Sequence, residues 1–400
     1  MGTERVRVAI IGAGVAGPVL ATILRRRGVP CTIFEQTPAF DPLGAGVQLS
    51  PNGTRVLNRL GLGRGLRERA VLAQSIETRR WDDGRLLSRV PHGPSCTQVF
   101  GAPYLMIHRA DLHHCLVSML PRGTLEMGRD VVALTDGPDE VELRFSDGTT
   151  TTADLVIGAD GVHSRVREAL VRDAPLFSGY AVYRGLIPAG VVPSFVGNPR
   201  VLFWLGPSRH ITYYPICSGE MVHFSAVCAA RDTHLGSTRI AADGLAAEFA
   251  TWHPEVQRVV AAAGAVTRWD LFDRDIIERY HAGRIVVVGD AAHPTLPFMS
   301  QGANQALEDA AVLADCLVPW LNGNEDGPAA GLRCYEVLRK RRTAEVHRLS
   351  RARAADFHLV DGPGQRKRDA DLAREHDLEH LRWLYGYDVH DAAHDLNLVR

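Results

Sequence analysis

The chain has 400 residues, enough for two or three domains of ordinary size. Hydrophobic residues make up 46% and charged residues 23%, and 45 basic against 46 acidic side chains give a formal net charge of −1. This even balance argues against a nucleic-acid partner. No apolar run approaches the roughly 20 residues that a membrane-spanning helix needs, so we expect no membrane partner either.

Seven cysteines are scattered along the chain, and no two of them have CxxC spacing. An odd number of unclustered cysteines favours reduced thiols and argues against a disulfide framework or a zinc site. The amino-terminal residues enter a strand pattern at once and lack the apolar region and cleavage site of a signal peptide. We therefore expect a cytoplasmic protein without a bound metal.

The first predicted elements are a strand, a glycine-rich turn, a helix and a second strand. Residues 6–11 (VRVAII) predict a buried parallel strand, and GAGVAG follows directly at 12–17. A helical pattern then runs to Gly28, and the next strand, CTIFEQ, ends at Glu35 and Gln36. This order is typical of a dinucleotide-binding βαβ unit.

Each glycine of this turn is needed for a different physical reason. Gly12 permits the tight turn, Gly14 lets the backbone approach a pyrophosphate, and Gly17 lets the helix pack on the strand. The helix amino terminus, with Ala16, offers free N–H groups to the phosphates, and Glu35 can accept hydrogen bonds from a ribose. The alternative is a purely structural turn, and the motif alone does not separate FAD from NAD.

Two later segments decide between these dinucleotides. Residues 153–170 (ADLVIGADGVHSRVREAL) predict a strand, the pair Asp160-Gly161 and a helix. Residues 284–316 predict a strand, the pair Gly289-Asp290 and a long helix. Taken alone, Asp290 would more commonly be a helix cap or a surface acid, and His293 a packed histidine.

These three motifs, in this order and at this spacing, resemble the single-component FAD-dependent aromatic hydroxylases, the family of para-hydroxybenzoate hydroxylase and salicylate hydroxylase. The resemblance covers nearly the whole chain and implies that one FAD is held from all three motifs. It implies cofactor contacts for Gly12, Gly14, Ala16, Gly17, Glu35, Gln36, Gly46, Arg109, Asp160, Asp290, Pro297, Gly302 and Ala303. A helix beginning at Gly302 and Ala303 would favour the anionic reduced flavin by about 0.3–1 kcal/mol.

The middle of the chain predicts the substrate region. Residues 178–230 have short alternating runs typical of strands, and residues 240–263 predict a helix. In the family such a sheet forms a wall of the substrate pocket. RHITYYP at 209–215 and LYGYD at 384–388 resemble the hydroxynicotinate monooxygenases of this family. That resemblance implies His210 as the base and Tyr214 as a substrate contact.

His210 and Tyr214 are four residues apart, so in a strand both side chains face the same side and could enter one pocket. A base of near-neutral pKa suits the chemistry, because a phenolate attacks a flavin C4a-hydroperoxide far better than a phenol does. The alternative is two hydrogen-bonded residues at a sheet edge. Gln48 and Phe298, the other expected substrate contacts, replace histidines of the hydroxynicotinate enzymes, which favours a less polar substrate or one whose carboxylate is bound elsewhere.

The sequence thus predicts an α/β protein: a Rossmann-like FAD-binding domain, an inserted β-sheet substrate domain and a C-terminal helical segment. The FAD-binding domain would take residues 1–73, 99–175 and 283–320, the substrate domain 74–98 and 176–282, and the helical segment 321–400. Within that segment, 335–357 predicts a basic helix with a solvated face. Residues 362–369 predict a surface loop, and the final aromatics are expected to pack on the pocket or on a partner subunit.

The predicted activity is monooxygenation. We expect bound FAD, transient NADH or NADPH, O2, and a small (hydroxy)aromatic or hydroxypyridine carboxylate as substrate, with loss of CO2 if the attacked carbon carries the carboxylate. Alternatives on the same scaffold are an epoxidase, an N-hydroxylase or a non-catalytic flavin-binding redox sensor. The chain is expected to be a monomer or a homodimer.

Overall fold

The computed structural model describes residues 6–40, 45–230, 232–233, 236–323, 327–374 and 377–391. The strands, in chain order, are β1 Val8–Ile11, β2 Cys31–Glu35, β3 Gly46–Leu49, β4 Val71–Leu72, β5 Ser75–Arg80, β6 Leu86–Pro91, β7 Leu105–His108, β8 Leu125–Met127, β9 Val131–Asp136, β10 Val141–Phe145, β11 Thr150–Ala153, β12 Leu155–Gly158, β13 Leu176–Pro188, β14 Arg200–Gly206, β15 Arg209–Ile216, β16 Met221–Ala229, β17 Ser237–Ala241, β18 Ala265–Asp273, β19 His281–Ala282 and β20 Ile285–Val287. The helices are α1 Ala16–Arg26, α2 Pro51–Arg59, α3 Gly63–Arg69, α4 Gly93–Phe100, α5 Arg109–Val117, α6 Asp243–Glu248, α7 Pro254–Ala261, α8 Gly302–Cys316, α9 Val318–Leu321, α10 Ala329–Phe357, α11 Pro363–Leu372 and α12 Arg382–Tyr385.

A six-stranded sheet, in the order β19-β20-β12-β1-β2-β8, brings the three motifs to one edge. All its neighbouring strands are parallel except the β19–β20 pair. The strands β1, β12 and β20 are fully buried, which explains their near-continuous runs of valine and isoleucine. The glycine turn, Asp160 and Asp290 follow the carboxyl ends of these three strands, where parallel sheets bind ligands.

A second sheet has eight strands, in the order β17-β18-β13-β16-β15-β14-β5-β6. Its long strands agree with the β-rich pattern predicted for residues 178–230. One face packs on α6 and α7 through a core that includes Trp204, Tyr213, Phe249 and Trp252. β5 pairs with β14 although about 120 residues separate them in sequence, as an inserted sheet domain requires. The exact domain boundaries stay a prediction.

Three predicted elements differ in the structure. The segment after Asp160 forms only a 3-10 turn, Val166–Ala169, and the Arg165 and Val166 N–H groups at its start donate to the Asp160 carboxylate. Residues 240–263 begin in β17 and contain two short helices rather than one. The surface loop predicted at 362–369 is wrong: proline begins helix α11, whose Gln365, Arg368 and Asp369 side chains are buried.

A buried ionic cluster joins helices α8 and α10. Glu308 and Asp309 on α8 are fully buried, and Arg339 on α10 reaches both, with Nη1 2.5 Å from Glu308 and Nε 2.6 Å from Asp309. Arg342 adds a bond of 2.7 Å to Glu308. Burial alone would raise the pKa of Glu308, but the charges of Arg342 and Arg339 hold it below its usual range.

The same cluster fixes the loop that precedes α8. The Asp309 carboxylate accepts the Gly289 N–H at 2.7 Å and also bonds His293 Nε2 at 2.5 Å. His293 is buried, as expected for a packed histidine. The position of the Gly289-Asp290 turn therefore depends on charges supplied by α10. Among the described residues, no helix combines the length and the apolar character that crossing a membrane requires.

Replacing Arg339 by Met should destabilise the fold strongly, because Glu308 and Asp309 would lose their main buried counter-charge. Breaking a buried pair on one side costs about 3–5 kcal/mol. Guanidinium unfolding followed by circular dichroism measures the effect. Arg348→Met is the matched control on the same helix, since its pair with Glu345 is exposed and should contribute little to stability. Equal unfolding midpoints for the two variants would contradict the stabilising role of the cluster.

Candidate active site

The glycine turn after β1 leaves one open position between two crowded ones. Gly12 has a φ of +101°, and a Cβ there would lie 2.5 Å from the Ala159 carbonyl oxygen. A Cβ on Gly17 would lie 2.1 Å from the Gly12 carbonyl oxygen, so the helix packs where only glycine fits. At Gly14 a Cβ would meet no protein atom within 4 Å. That open backbone is what close approach of a pyrophosphate needs.

Glu35 ends β2 beside this turn. One carboxylate oxygen accepts the Ala13 N–H at 2.9 Å, and the other accepts the Thr37 N–H and hydroxyl, both at 3.0 Å. A carboxylate offers about four acceptor positions, so one remains for a ribose hydroxyl. Gln36 is exposed next to it and lines a separate cleft with Asp130. Ala16, in the first turn of α1, is buried.

Asp160 has a clear local function in its own loop. Its carboxylate accepts hydrogen bonds from the Ser164 hydroxyl at 2.5 Å and from the Arg165 and Val166 N–H groups at 2.8 and 3.2 Å. Burial raises the pKa of Asp160, and these hydrogen bonds act against that rise. Asp160 therefore caps the turn after β12, and any contact with a cofactor would be additional to this capping.

Several exposed groups surround the amino terminus of α8. Asp290 and Pro297 are exposed, and Gly302 and Ala303 begin the helix. A Cβ on Gly302 would lie 3.7 Å from the Asp290 carboxylate, so the acid stands at the start of the helix. Arg109, at the start of α5, is also exposed. These groups offer a carboxylate, a guanidinium and helix N–H groups, and their contacts with the ribityl chain and pyrimidine edge of a flavin stay a prediction.

Asn304, which the sequence analysis did not single out, holds β3 against this helix end. Its Oδ1 accepts the Ser50 N–H at 3.0 Å. Its Nδ2 donates to the Gln48 and Ser300 carbonyl oxygens at 3.1 and 2.9 Å. The signal was an asparagine in the first turn of a predicted helix, but Gln48 and Ser50 lie about 250 residues away and no local pattern identifies them.

His210 and Tyr214 lie on β15 and face the same side of the sheet, as predicted for positions four apart. His210 Nδ1 is 2.8 Å from His358 Nε2, and the two imidazole rings stack. The His210 ring also contacts Phe298 and Phe357. Burial, and then the neighbouring His358, hold the pKa of His210 well below its usual range, so the ring is neutral at neutral pH.

Gln48 is the centre of a hydrogen-bonded cluster of tyrosines. The Tyr104 hydroxyl donates to Gln48 Oε1 at 2.7 Å, and Gln48 also hydrogen-bonds Tyr214. Tyr385 interacts with Tyr104 in turn. Burial raises the pKa of both Tyr214 and Tyr385, so these phenols stay protonated. Gln48 thus takes part in a neutral polar wall rather than a charged one.

Close packing in this wall explains why residue 46 is a glycine, in addition to the cofactor role expected from the resemblance. A Cβ there would lie 2.7 Å from the Tyr214 hydroxyl and 2.8 Å from the His223 ring. The absence of a side chain lets β3 approach the sheet closely enough for Gln48 to reach Tyr214.

A cavity of about 520 Å³ opens beside this cluster. It is lined by Gln48, Tyr104, Phe298, Arg353 and Tyr385, among others, and its volume suits a small aromatic ligand. Neither His210 nor Tyr214 belongs to its described lining, so the expectation that both enter one pocket is not met directly. Both contact residues that do line it: Phe298 next to His210 and Gln48 next to Tyr214.

Two arginines of this region also escaped the sequence analysis. Arg184 on β13 has no hydrogen bond or ion pair with any described residue, and burial, followed by the nearby charge of Arg109, lowers its pKa. Arg353, near the end of α10, lines the cavity. An arginine at an inward position of a predicted strand was a usable signal for Arg184, whereas Arg353 was hidden among the many arginines of a basic helix.

The carboxyl edge of the six-stranded sheet brings together the glycine turn, the Gly289-Asp290 turn and the amino terminus of α8. This combination is typical of a flavin-binding protein. The chain belongs to the family described as FAD binding domain, which matches residues 5–350. It is an enzyme of the FAD-dependent aromatic monooxygenases, and FAD is its cofactor. A transiently bound NADH or NADPH as reductant is typical of the family.

The similar proteins are monooxygenases of small aromatic acids. The chain is 54% identical over 381 residues to 3-amino-4-hydroxybenzoate 2-monooxygenase of Streptomyces cremeus, with 95% of each chain covered. It is 33% identical to 6-hydroxynicotinate 3-monooxygenase of Bordetella bronchiseptica, with 96% of each covered. A salicylate hydroxylase in complex with substrate has a TM-score of 0.83 at 27% identity, covering 98% of both chains. These findings confirm the family and the fold class predicted from the motifs.

The glycine turn gives a test that separates fold from cofactor binding. Gly14→Ala should leave the unfolding midpoint of the apoprotein unchanged, since the added methyl meets no protein atom, yet it should weaken FAD binding at least about tenfold by filling the space next to the phosphates. FAD titration followed by flavin fluorescence measures the affinity. Gly244→Ala, also in open space but in α6, is the control. Unchanged FAD affinity in Gly14→Ala would contradict the assignment of the turn.

Buried histidines predict the pH dependence of stability. Burial lowers the pKa of His92 and His358 to about 4, of His223 to about 3, and of His210 well below its usual value. Unfolded histidines titrate near pH 6.5, so below this pH the unfolded chain binds protons that the folded chain does not. Stability should therefore be complete above about pH 6.5 and fall towards pH 5, by up to about 1.4 kcal/mol per pH unit for each histidine.

Denaturant unfolding at pH 7.5, 6.5, 5.5 and 5.0 measures this slope. In this window the carboxylates with lowered pKa values remain ionised and contribute little. Burial raises the pKa values of Asp160 and Asp290, which acts in the opposite direction, but the four histidines outnumber them and dominate. A stability that is flat between pH 7.5 and 5.0 would contradict the neutral, buried state of these rings.

Proposed function

We propose that this protein hydroxylates the ring of a small hydroxylated aromatic carboxylate, with 3-amino-4-hydroxybenzoate as the leading candidate substrate. The observation that carries the proposal is the cavity of about 520 Å³ beside the flavin-facing turn, bounded by Gln48 and its tyrosines. The similarity to monooxygenases named for 3-amino-4-hydroxybenzoate, at 54% and 47% identity, supports this substrate over a hydroxypyridine. NADH or NADPH and O2 are the proposed co-substrates.

Bound FAD, once reduced, supplies the oxygen-activating chemistry. The residues of the chain bind and orient the ring, exclude water and hold protons. Gln48 and Tyr104 offer a neutral acceptor and donor pair to a ring hydroxyl or amine, which replaces the histidine of the hydroxynicotinate enzymes. Phe298 and Phe357 supply apolar surface for the ring and keep water from His210.

His210 is the proposed base for the substrate hydroxyl. Its Nδ1 contacts His358, so Nε2 is the atom left to accept a proton. This requires the tautomer in which Nδ1 carries the hydrogen and donates it to His358 Nε2. The low pKa of His210 makes it a weak base at rest, so the proton would be taken only while the ring reacts. Tyr214, which is hydrogen-bonded to Gln48, lies on the same strand behind the cavity lining.

Turnover with a panel of ring acids tests the proposal. NADH and NADPH consumption by FAD-loaded protein is measured with 3-amino-4-hydroxybenzoate, salicylate, 3- and 4-hydroxybenzoate and 6-hydroxynicotinate, and product and peroxide are both quantified. The expected result is stimulation and a ring-hydroxylated product with 3-amino-4-hydroxybenzoate. If none of these acids stimulates consumption, the proposed substrate class is contradicted. A non-catalytic redox function would then be favoured over ring hydroxylation.

A His210→Asn variant separates ring hydroxylation from the alternatives. Loss of the base should lower the product yield by about 10²–10⁴-fold while NADH oxidation persists and releases peroxide. An epoxidase or an N-hydroxylase on the same scaffold needs no phenolate, so its product yield would be nearly unchanged. Mass spectrometry of the product distinguishes an oxidised amine from a new ring hydroxyl.

A further inference from the structure

We propose that Arg353 on helix α10 binds the carboxylate of the aromatic acid and so determines the substrate class. This inference rests on the proposed function and names the group that recognises its acidic substituent. It also answers a question raised by the sequence, because Gln48 and Phe298 replace the histidines that would otherwise meet a polar substituent. The charge missing at those two positions is supplied from the carboxyl-terminal helix.

Arg353 differs from the other partly or fully buried arginines of α10. Those arginines are engaged in ion pairs with acidic residues: Arg339 with Glu308 and Asp309, and Arg342 with Glu308. The more exposed Arg348 and Arg351 are paired as well, with Glu345 and Asp273. Arg353 is partly buried, lines the cavity and has no hydrogen bond or ion pair with any residue that the structure describes. Its five N–H donors are therefore available to a ligand.

The other cations of the cavity are already neutralised. Lys367 Nζ lies 2.6 Å from the Asp371 carboxylate, and Arg368 Nη2 lies 2.8 Å from Asp369. Arg368 also donates to the Asp356 carbonyl oxygen at 2.9 Å. Each of these charges would have to leave a partner to meet a substrate carboxylate, whereas Arg353 would not.

Arg353 and the tyrosine cluster both line the cavity. Its positive charge acts on the Tyr385 phenol, opposing the rise in pKa that burial causes there. The Tyr385 ring contacts Tyr104, whose hydroxyl donates to Gln48, and Gln48 forms another part of the cavity wall. An aromatic acid can therefore present its hydroxyl and amine to Gln48 and Tyr104 and its carboxylate to Arg353. A guanidinium binds a carboxylate through two parallel hydrogen bonds, which fixes orientation as well as charge.

A paired-ligand titration tests the assignment. Isothermal titration calorimetry of the FAD-loaded protein measures binding of 3-amino-4-hydroxybenzoate and of its carboxamide, which is neutral and of nearly the same shape. The expected result is that the wild type prefers the acid at least about tenfold, as a charge-assisted pair should. Arg353→Gln should abolish this preference by weakening acid binding and leaving amide binding unchanged, and Arg353→Lys should restore part of it.

Arg348→Gln is the matched control, since it removes an exposed charge from the same helix and touches no cavity residue. A wild type that does not prefer the acid, or an Arg353→Gln variant that keeps the preference, would overturn the inference. Its outcome is separable from that of the proposed function. Ring hydroxylation by a wild type whose acid preference survives Arg353→Gln would leave the function standing and the inference wrong. If Arg353→Gln loses the acid preference but the wild type forms no product, the inference would stand and the proposed function would be wrong.

Discussion

The buried pairing of Arg339 with Glu308 and Asp309 is the interaction on which the rest of the site depends. It connects helix α8, which begins at Gly302, to the long carboxyl-terminal helix, and through Asp309 it fixes the Gly289 turn. Charges buried to this extent persist only with excellent geometry, because each one alone is costly to remove from water. Two helices are therefore locked in one arrangement, and the position of the α8 amino terminus follows from it.

This constraint also shapes the substrate side. Helix α10 runs from the ionic cluster to His358 and ends beside β15, where His358 meets His210. One continuous 29-residue helix thus connects the cofactor end of the molecule to the proposed base and to Arg353. The cavity is lined by residues of this helix and of the sheet. The charged α11 residues in its lining, Lys367, Arg368 and Asp371, are in ion pairs, whereas Arg353 on α10 is not paired with any described residue. Substrate discrimination would then come from a segment outside both the glycine turn and the inserted sheet.

Much of the FAD-binding half was predictable because its signals are local. The turn at Gly12 to Gly17 needs glycine for reasons contained within a few residues, and the strand before it is buried on both faces. The presence of strands between residues 178 and 230 also followed from alternation along the chain. Helix α11 was missed because its residues look polar, and only tertiary contacts bury Arg368 and Asp369. The Gln48, Tyr104 and Tyr385 cluster likewise joins positions far apart in sequence, which one sequence without structure does not connect.

The proposed reaction places oxygen on the ring of a substrate held in the cavity beside Gln48. Mass spectrometry of the product formed from 3-amino-4-hydroxybenzoate, NADH or NADPH and isotopically labelled dioxygen distinguishes it from the alternatives. The expected product carries one labelled oxygen on a ring carbon, in an amount that matches the consumed reductant less the peroxide released. Reductant consumed with only labelled peroxide, or with the label on the amine nitrogen, would contradict it.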